Sequence, residues 1–494
     1  MPEGAQPAKA QPVPTLHEPS LATRLYYGVG SVAYGVKDNG FSVFLLFYYN
    51  QVLGLPERWV GLGIFMALIV DAFSDPVVGY VSDNWHSRWG RRHPFMYFAA
   101  LPAGISFYFL FNPPAGLSDA GLFAYFLTLA IIVRTFITLY EIPSTSLVAE
   151  LSDNYDTRTS MLSFRYFFGW WGGLSMAVLA YAVFLQPSAA FPDGQLDPAG
   201  YRSYGIAAGL VMVAAILISA GGTHSSIPRL RPAPERRPFE WRRTLAELGE
   251  TLRNRSFLVL FAAGIFAAMA SGLSMALSLY FNTFFWELSS GQISVLMVAT
   301  FGSAIIALVA APRLAARMGK RAAALLSGSL VIVISPIAVV GRLLGWMPEN
   351  GSPALLPILL ALSVLDISLI IINSILASSM VADVVEESEL ATGRRSEGLF
   401  FAARSFAQKA VSGFGILGST WILAAVAFPE QAVPGEVSDE VLRNLVIVYL
   451  PSVLGLYALF LGCLALYRID RESHQQNLRE LGERRAATAG RNTP

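Results

Sequence analysis

The sequence predicts an all-α integral membrane protein of twelve transmembrane helices, built as two six-helix bundles around a central cavity. Three observations predict it. The chain is 54% hydrophobic and only 14% charged, with a mean hydropathy of +0.51, whereas soluble domains carry about 25% charged residues. Apolar runs longer than the roughly 20 residues that cross a bilayer core recur along the chain. A proline- and arginine-rich stretch, residues 223–255, divides those runs six and six.

The runs fall at 25–53, 59–82, 94–111, 121–148, 162–185 and 202–222, and then at 256–285, 292–315, 322–346, 353–381, 398–428 and 444–467. They are long, glycine-rich and separated by short polar turns, as helices in lipid are. A transmembrane barrel would show alternating segments of about ten residues, and none occur. Residues 1–20 are proline-rich without an apolar core, so a disordered tail is expected rather than a signal peptide. An N-terminal bundle over 21–222, a linker over 223–255 with a short surface helix from Trp241 to about Leu252, a C-terminal bundle over 256–468 and a polar tail over 469–494 follow.

Basic residues orient the runs. Arg88, Arg91 and Arg92 follow the second, eight arginines lie in the linker, Arg313, Arg317, Lys320 and Arg321 follow the eighth, and Arg394 and Arg395 follow the tenth. The opposite loops hold few. The positive-inside bias therefore puts both termini in the cytoplasm of a cell whose inner membrane the chain spans. A net charge of +1 offers no footprint for nucleic acid. The single cysteine, Cys463, excludes an intrachain disulfide, and five scattered histidines give no metal cluster. No nucleophile–base set and no nucleotide-binding motif appears, so neither an enzyme nor a cofactor is expected. The expected partners are membrane lipids and a small solute, and a monomer is the expected working unit.

Charges within spans are few and costly: about 2.5–3.5 kcal/mol for a carboxylate or basic group at the centre of an isolated helix. Lys37 and Asp38 occur in the first span, Asp71 and Asp75 in the second, Arg134 and Glu141 in the fourth, Arg165 in the fifth, Asp366 in the tenth, Arg404 and Lys409 in the eleventh. Asp71 and Asp75 are one helical turn apart and share a face, which is what a small cation needs. Asp38 is the third oxygen donor. Lys37 and Asp38, adjacent in sequence, should point about 100° apart, one to the cavity and one to a neighbouring helix. Lys409 could hold the carboxylates while the cation is absent. A carboxylate with an arginine, as in Asp38, Glu141 and Arg165, suits polyhydroxy ligands. Tyr34, Tyr166, Trp170 or Trp171 could stack on a sugar ring. Each charge also has a plainer reading as an ion pair locking two helices; that reading fits Arg134 and Arg404 best and Asp71 and Asp75 least.

Two polar turns look like a gate. Asp83, Arg88, Arg91 and Arg92 follow the second span, and Asp383, Glu386, Glu387, Arg394, Arg395 and Glu397 follow the tenth. Opposed clusters of this kind could cross-link the two halves on the cytoplasmic side in one state and part in the other.

DAFSDPVVGYVSDNWHSRWGRRHPF, the first-span Lys37-Asp38 pair and Glu141-Ile142-Pro143 resemble the glycoside–pentoside–hexuronide:cation symporter family, the melibiose permease-like branch of the major facilitator superfamily. The resemblance covers nearly the whole chain. It implies a major facilitator fold and cation-coupled sugar symport, with Na⁺, Li⁺ or H⁺ at Asp71 and Asp75. It also implies sugar contacts at Asp38, Glu141 and Arg165, and Lys409 close to the cation. The chain departs from the family where an aromatic platform would fall, near Ser144 and Thr145. The alternative solute is a lysolipid or another amphipath.

Overall fold

The computed structural model describes residues 18–152, 155–229, 255–392, 413–467 and the single positions 411 and 480. The terminal tails, the surface helix expected at 241–252, and Arg394, Arg395, Arg404 and Lys409 lie outside the described residues.

The first apolar run is a helix in pieces: α1 (Leu21–Val29), α2 (Ser31–Asn39) and α3 (Leu45–Phe47), joined and ended by the π-helical turns Gly40–Phe44 and Tyr48–Val52. Ser20 opens it by accepting a hydrogen bond from the Thr23 amide. Then come α4 (Glu57–Asp83), α5 (His93–Leu110), α6 (Asp119–Leu151), α7 (Tyr155–Leu179) and α8 (Pro198–His224). The second half holds α9 (Arg255–Tyr280), α10 (Ser290–Met318), α11 (Lys320–Leu343), α12 (Leu355–Thr392), α13 (Gly413–Ala425) and α14 (Asp439–Ala465). Among the described residues nine helices are long and apolar enough to cross a membrane. The segmented first run, the 18-residue α5 and α13 supply the other three of the expected twelve. α12 differs from expectation. It continues through Glu386 to Thr392, where the polar sequence suggests a loop, because ADVVEESELAT contains no glycine or proline to stop a helix.

In the first half α4 packs on α6, α5 on α6 and α8, and α2 on α7 and α8. The α2–α7 contact is glycine on glycine. A Cβ on Gly35 would lie 1.9 Å from the Gly169 carbonyl oxygen, and one on Gly173 would lie 2.5 Å from that of Gly35. Only glycine permits that approach. Arg165 lies one turn before Gly169 on the same stripe, so this packing carries its guanidinium inward. In the second half α10 and α11 pack on α12, and α9 and α11 on α14.

The halves are joined at one end. Gln51 Nε2 donates to the Pro429 carbonyl at 3.2 Å, and its Oε1 accepts from the Ala432 amide at 2.9 Å. Tyr280 Oη donates to Asn50 Oδ1 at 2.7 Å. Gln195 Nε2 donates to the Leu288 carbonyl at 2.8 Å, and Thr283 Oγ1 donates to Gln195 Oε1 at 2.6 Å. Phe47 packs 5.4 Å from Tyr280 and 5.8 Å from Phe284, ring centre to ring centre. Among the described residues, the hydrogen bonds found between the halves all lie at this latched end. One apolar core runs through both halves there. A second core, around Phe257, Leu260, Ala307, Met380 and Leu464, belongs to the second half alone and sits toward its arginine-rich end. Outward faces stay apolar, as with Phe98, Leu101 and Ile105 on α5, the surface a helix shows to lipid.

Candidate functional site

Four helices of the first half bring the intramembrane charges together. α6 contributes most. Arg134, Thr138 and Glu141 recur at i, i+4 and i+7, so they share one face, and Ser144 continues it one turn on.

Asp71 and Asp75 do converge, but the group that joins them is the Thr138 hydroxyl rather than Asp38. Thr138 Oγ1 lies 2.8 Å from Asp71 Oδ1 and 3.1 Å from Asp75 Oδ1. A hydroxyl has one proton and donates to one carboxylate at a time. Holding two anionic oxygens around it therefore calls for further positive charge. Arg134 supplies some: its Nη1 donates to Asp71 Oδ2 at 3.0 Å, and both side chains are buried. Its guanidinium carbon also stands 4.6 Å from the centre of the Phe41 ring, a cation–π distance. Arg134 thus makes an ion pair between α6 and α4, with one of the proposed ion ligands.

Glu141 and Arg165 form the second pair. Arg165 Nη2 is 2.6 Å from Glu141 Oε2, and Nη1 donates to Ser144 Oγ at 3.1 Å. Arg165 is buried, while Glu141 keeps about a fifth of its surface exposed. The pair offers acceptors and donors side by side to a ligand with adjacent hydroxyls.

The first-span pair differs from expectation. Lys37 Nζ is 3.7 Å from Asp38 Oδ1, so the two meet each other instead of diverging. The 100° between neighbouring Cβ atoms says little about the tip of a four-carbon stem. Lys37 is buried and Asp38 half-exposed, and Lys37 Nζ also sits 4.3 Å above the Tyr34 ring. One face of the Tyr34 ring therefore carries an ammonium. Tyr166 and Trp170 are exposed, on a face of α7 about 100° from the Arg165–Gly169 stripe. Trp171 reaches the second half, 4.5 Å from Phe301.

The gate residues pair within each half. Arg92 contacts Asp83 and donates to Ser82 Oγ at 2.8 Å, and Arg91 and Arg92 both reach Glu150 Oε1 at 2.9 Å. Arg88 lies 5.7 Å from the Trp89 ring. Asp383 pairs with Lys320 at 2.6 Å in the second half. In the described contacts Asp83, Arg91 and Arg92 are thus met by charges of the first half and Asp383 by one of the second, while Arg394 and Arg395 lie outside the described residues. The side chain of Glu386 lies outside the described set. Glu150 and Thr138 were missed from sequence. The i, i+4, i+7 polar stripe on α6 is the signal that points to Thr138; Glu150, at the polar end of its span, carries none.

A groove of about 390 Å³ lies elsewhere, between α9, α13 and α14, lined by Met269, Leu273, Phe414, Trp421, Val448 and Leu456. Its apolar walls hold none of the charges above.

Residues 26–471 match the family described as MFS/sugar transport protein. The isoprimeverose transporter of Lactiplantibacillus pentosus is 24% identical over 472 residues, covering 94% of this chain and 93% of the relative. The inner membrane symporter YicJ of Escherichia coli (strain K12) is 25% identical over 416 residues, covering 82% of this chain and 83% of the relative. A crystal structure of a D-xylose–proton symporter gives a TM-score of 0.59 at 16% identity, over 89% of this chain and 96% of that one. The inward open xylose transporter XylE from E. coli gives 0.56 at 14% identity, over 93% and 97%. At such identities these structures speak for the fold alone, which is that of a major facilitator transporter.

Proposed function

This chain belongs to the MFS/sugar transport protein family, and from that premise we propose that it is a cation-coupled symporter of a sugar or glycoside. It is a membrane transporter, not an enzyme. The coupling ion is Na⁺, H⁺ or Li⁺, taken up at Asp71 and Asp75 with the Thr138 hydroxyl beside them. The observation that carries this reading is the convergence of the two Oδ1 atoms on one hydroxyl. A cation there cancels the repulsion between two carboxylates in a low-dielectric site. The solute meets Glu141, Arg165 and Asp38, on helices that also touch the ion ligands, so each ligand improves the site for the other. The names of the relatives support a sugar or glycoside over a lysolipid.

The arginine-rich end faces the cytoplasm of the inner membrane, with both termini there. The latched end then faces outward, and the conformation described is inward-facing. Alternating access consists of breaking the latch and joining the opposite end.

Uptake of labelled glycosides into proteoliposomes, with imposed Na⁺ or pH gradients, tests the reading. Asp75→Asn should abolish gradient-driven uptake. Unchanged Na⁺ and pH dependence in that variant would sink the ion-site assignment. Thermal shifts with lysolipids but with no sugar would replace the solute class.

A further inference from the structure

We propose that Arg134 is a built-in competitor of the coupling cation. It takes Asp71 when the cation is absent and yields it when the cation binds between Asp71 and Asp75. The inference rests on the ion-site reading above and adds to it the residue that sets the site's affinity.

The geometry is that of a releasable clamp. The stronger arginine–carboxylate pairing presents two parallel N–H groups to the carboxylate. Arg134 presents one, Nη1 to Asp71 Oδ2 at 3.0 Å, and its Nε is buried without a hydrogen-bond partner among the described residues. The guanidinium already stands over Phe41 at 4.6 Å. It can keep that contact when it leaves the carboxylate, and the aromatic face compensates part of its charge. Arg134 and Thr138 lie one turn apart on α6 and address the two oxygens of the same carboxylate, Oδ2 and Oδ1. Moving Arg134 off Oδ2 leaves the Thr138 bridge intact, so the site opens without being dismantled.

Without Arg134 the empty site would hold the buried Asp71 carboxylate, with the half-buried Asp75 a turn away, under less compensation, a costly state. The engaged arginine also belongs to a conformation whose halves are latched at the far end. Competition there lowers cation affinity on the side where a symporter must release its ion.

The test is Na⁺ and Li⁺ titration of purified full-length protein by thermal shift, with choline holding ionic strength constant. Arg134→Gln should melt lower without cation, yet reach half-maximal stabilisation at a Na⁺ concentration about tenfold or more below that of the wild type, the scale of one lost charge-assisted contact. An arginine with only a structural role would lower stability without raising affinity. A folded Arg134→Gln protein that needs as much Na⁺ as the wild type, or does not respond, overturns the proposal. Should it fail to fold, Arg134→Met, which keeps an apolar stem against Phe41, carries the same expectation. The double variant Asp75→Asn with Arg134→Gln should lose the response altogether. If it responds as Arg134→Gln does, the ion-site reading fails instead.

Discussion

Over the described residues, the two halves have the same helical plan and differ in where their intramembrane charges fall. In the first half, Lys37, Asp38, Asp71, Asp75, Arg134, Glu141 and Arg165 come from four helices, and the described contacts pair acid with base or share one hydroxyl. Among the described spans of the second half, Asp366 stands apart, and its contact is the Ser335 hydroxyl at 2.5 Å. The second half instead contributes backbone acceptors and donors to the latch, at Leu288, Pro429 and Ala432. Among the described residues, then, the paired intramembrane charges lie in one bundle, and the other supplies the surface it closes against. A transporter divided in this way could change its angle of closure without rebuilding the proposed ion site.

The largest effect that would break this comparison is at Asp71. Asp71→Asn leaves Arg134 buried beside a neutral group, a change of about 3–5 kcal/mol. Chemical denaturation should show that loss, and gradient-driven uptake should vanish. Retained stability would mean that Arg134 has another anion and that the first half is less self-contained than its contacts indicate.

The latch comes next. Gln51→Ala removes two hydrogen bonds between the halves, worth roughly 1–3 kcal/mol together. Spin labels at the exposed positions Ala115 and Val433, read by pulsed electron resonance, should show a new, longer distance as the latched population falls. An unchanged distribution would move the closure energy to the apolar contacts of Phe47.

Asp366 should matter less. Asp366→Asn keeps an acceptor for Ser335 and should change cation dependence by less than about twofold, well under the 1.4 kcal/mol of a tenfold effect. Loss of coupling in that variant would place ion chemistry in both halves.

The smallest effect is at Glu430, in the loop beside the latch. Burial first, and then the charges of Glu57 and Asp119, raise its carboxyl above the usual range. For an acid raised in the folded state, the ionised form is the disfavoured one. The cost is present above the raised value and absent below the ordinary one. Glu430→Gln should therefore melt slightly higher at about pH 7 and show no gain at about pH 4.

Much of this was legible in the chain. The spans follow from apolar runs, because lipid leaves no other partner for their backbone. The short list of suspect charges follows from their cost in those runs. Asp71 and Asp75 are assigned to one face by spacing alone, since helical periodicity is local. Asp38 with Lys37 shows the limit of that argument: the backbone angle is local, but where a lysine tip goes depends on what surrounds it.

What the sequence determined by itself is the class of protein, the number of spans and which residues are too expensive to be idle. Only the tertiary structure decided their partners. Arg134 could face any neighbour of α6, and it reaches Asp71 because α4 packs there. Arg165 reaches Glu141 because Gly35, Gly169 and Gly173 let α2 and α7 close to backbone contact. The latch joins residues 230 to 381 positions apart in Tyr280–Asn50 and Ala432–Gln51, and no local pattern encodes such a pairing. Periodicity fixes a residue's face; the helix opposite that face is chosen by packing across the whole bundle.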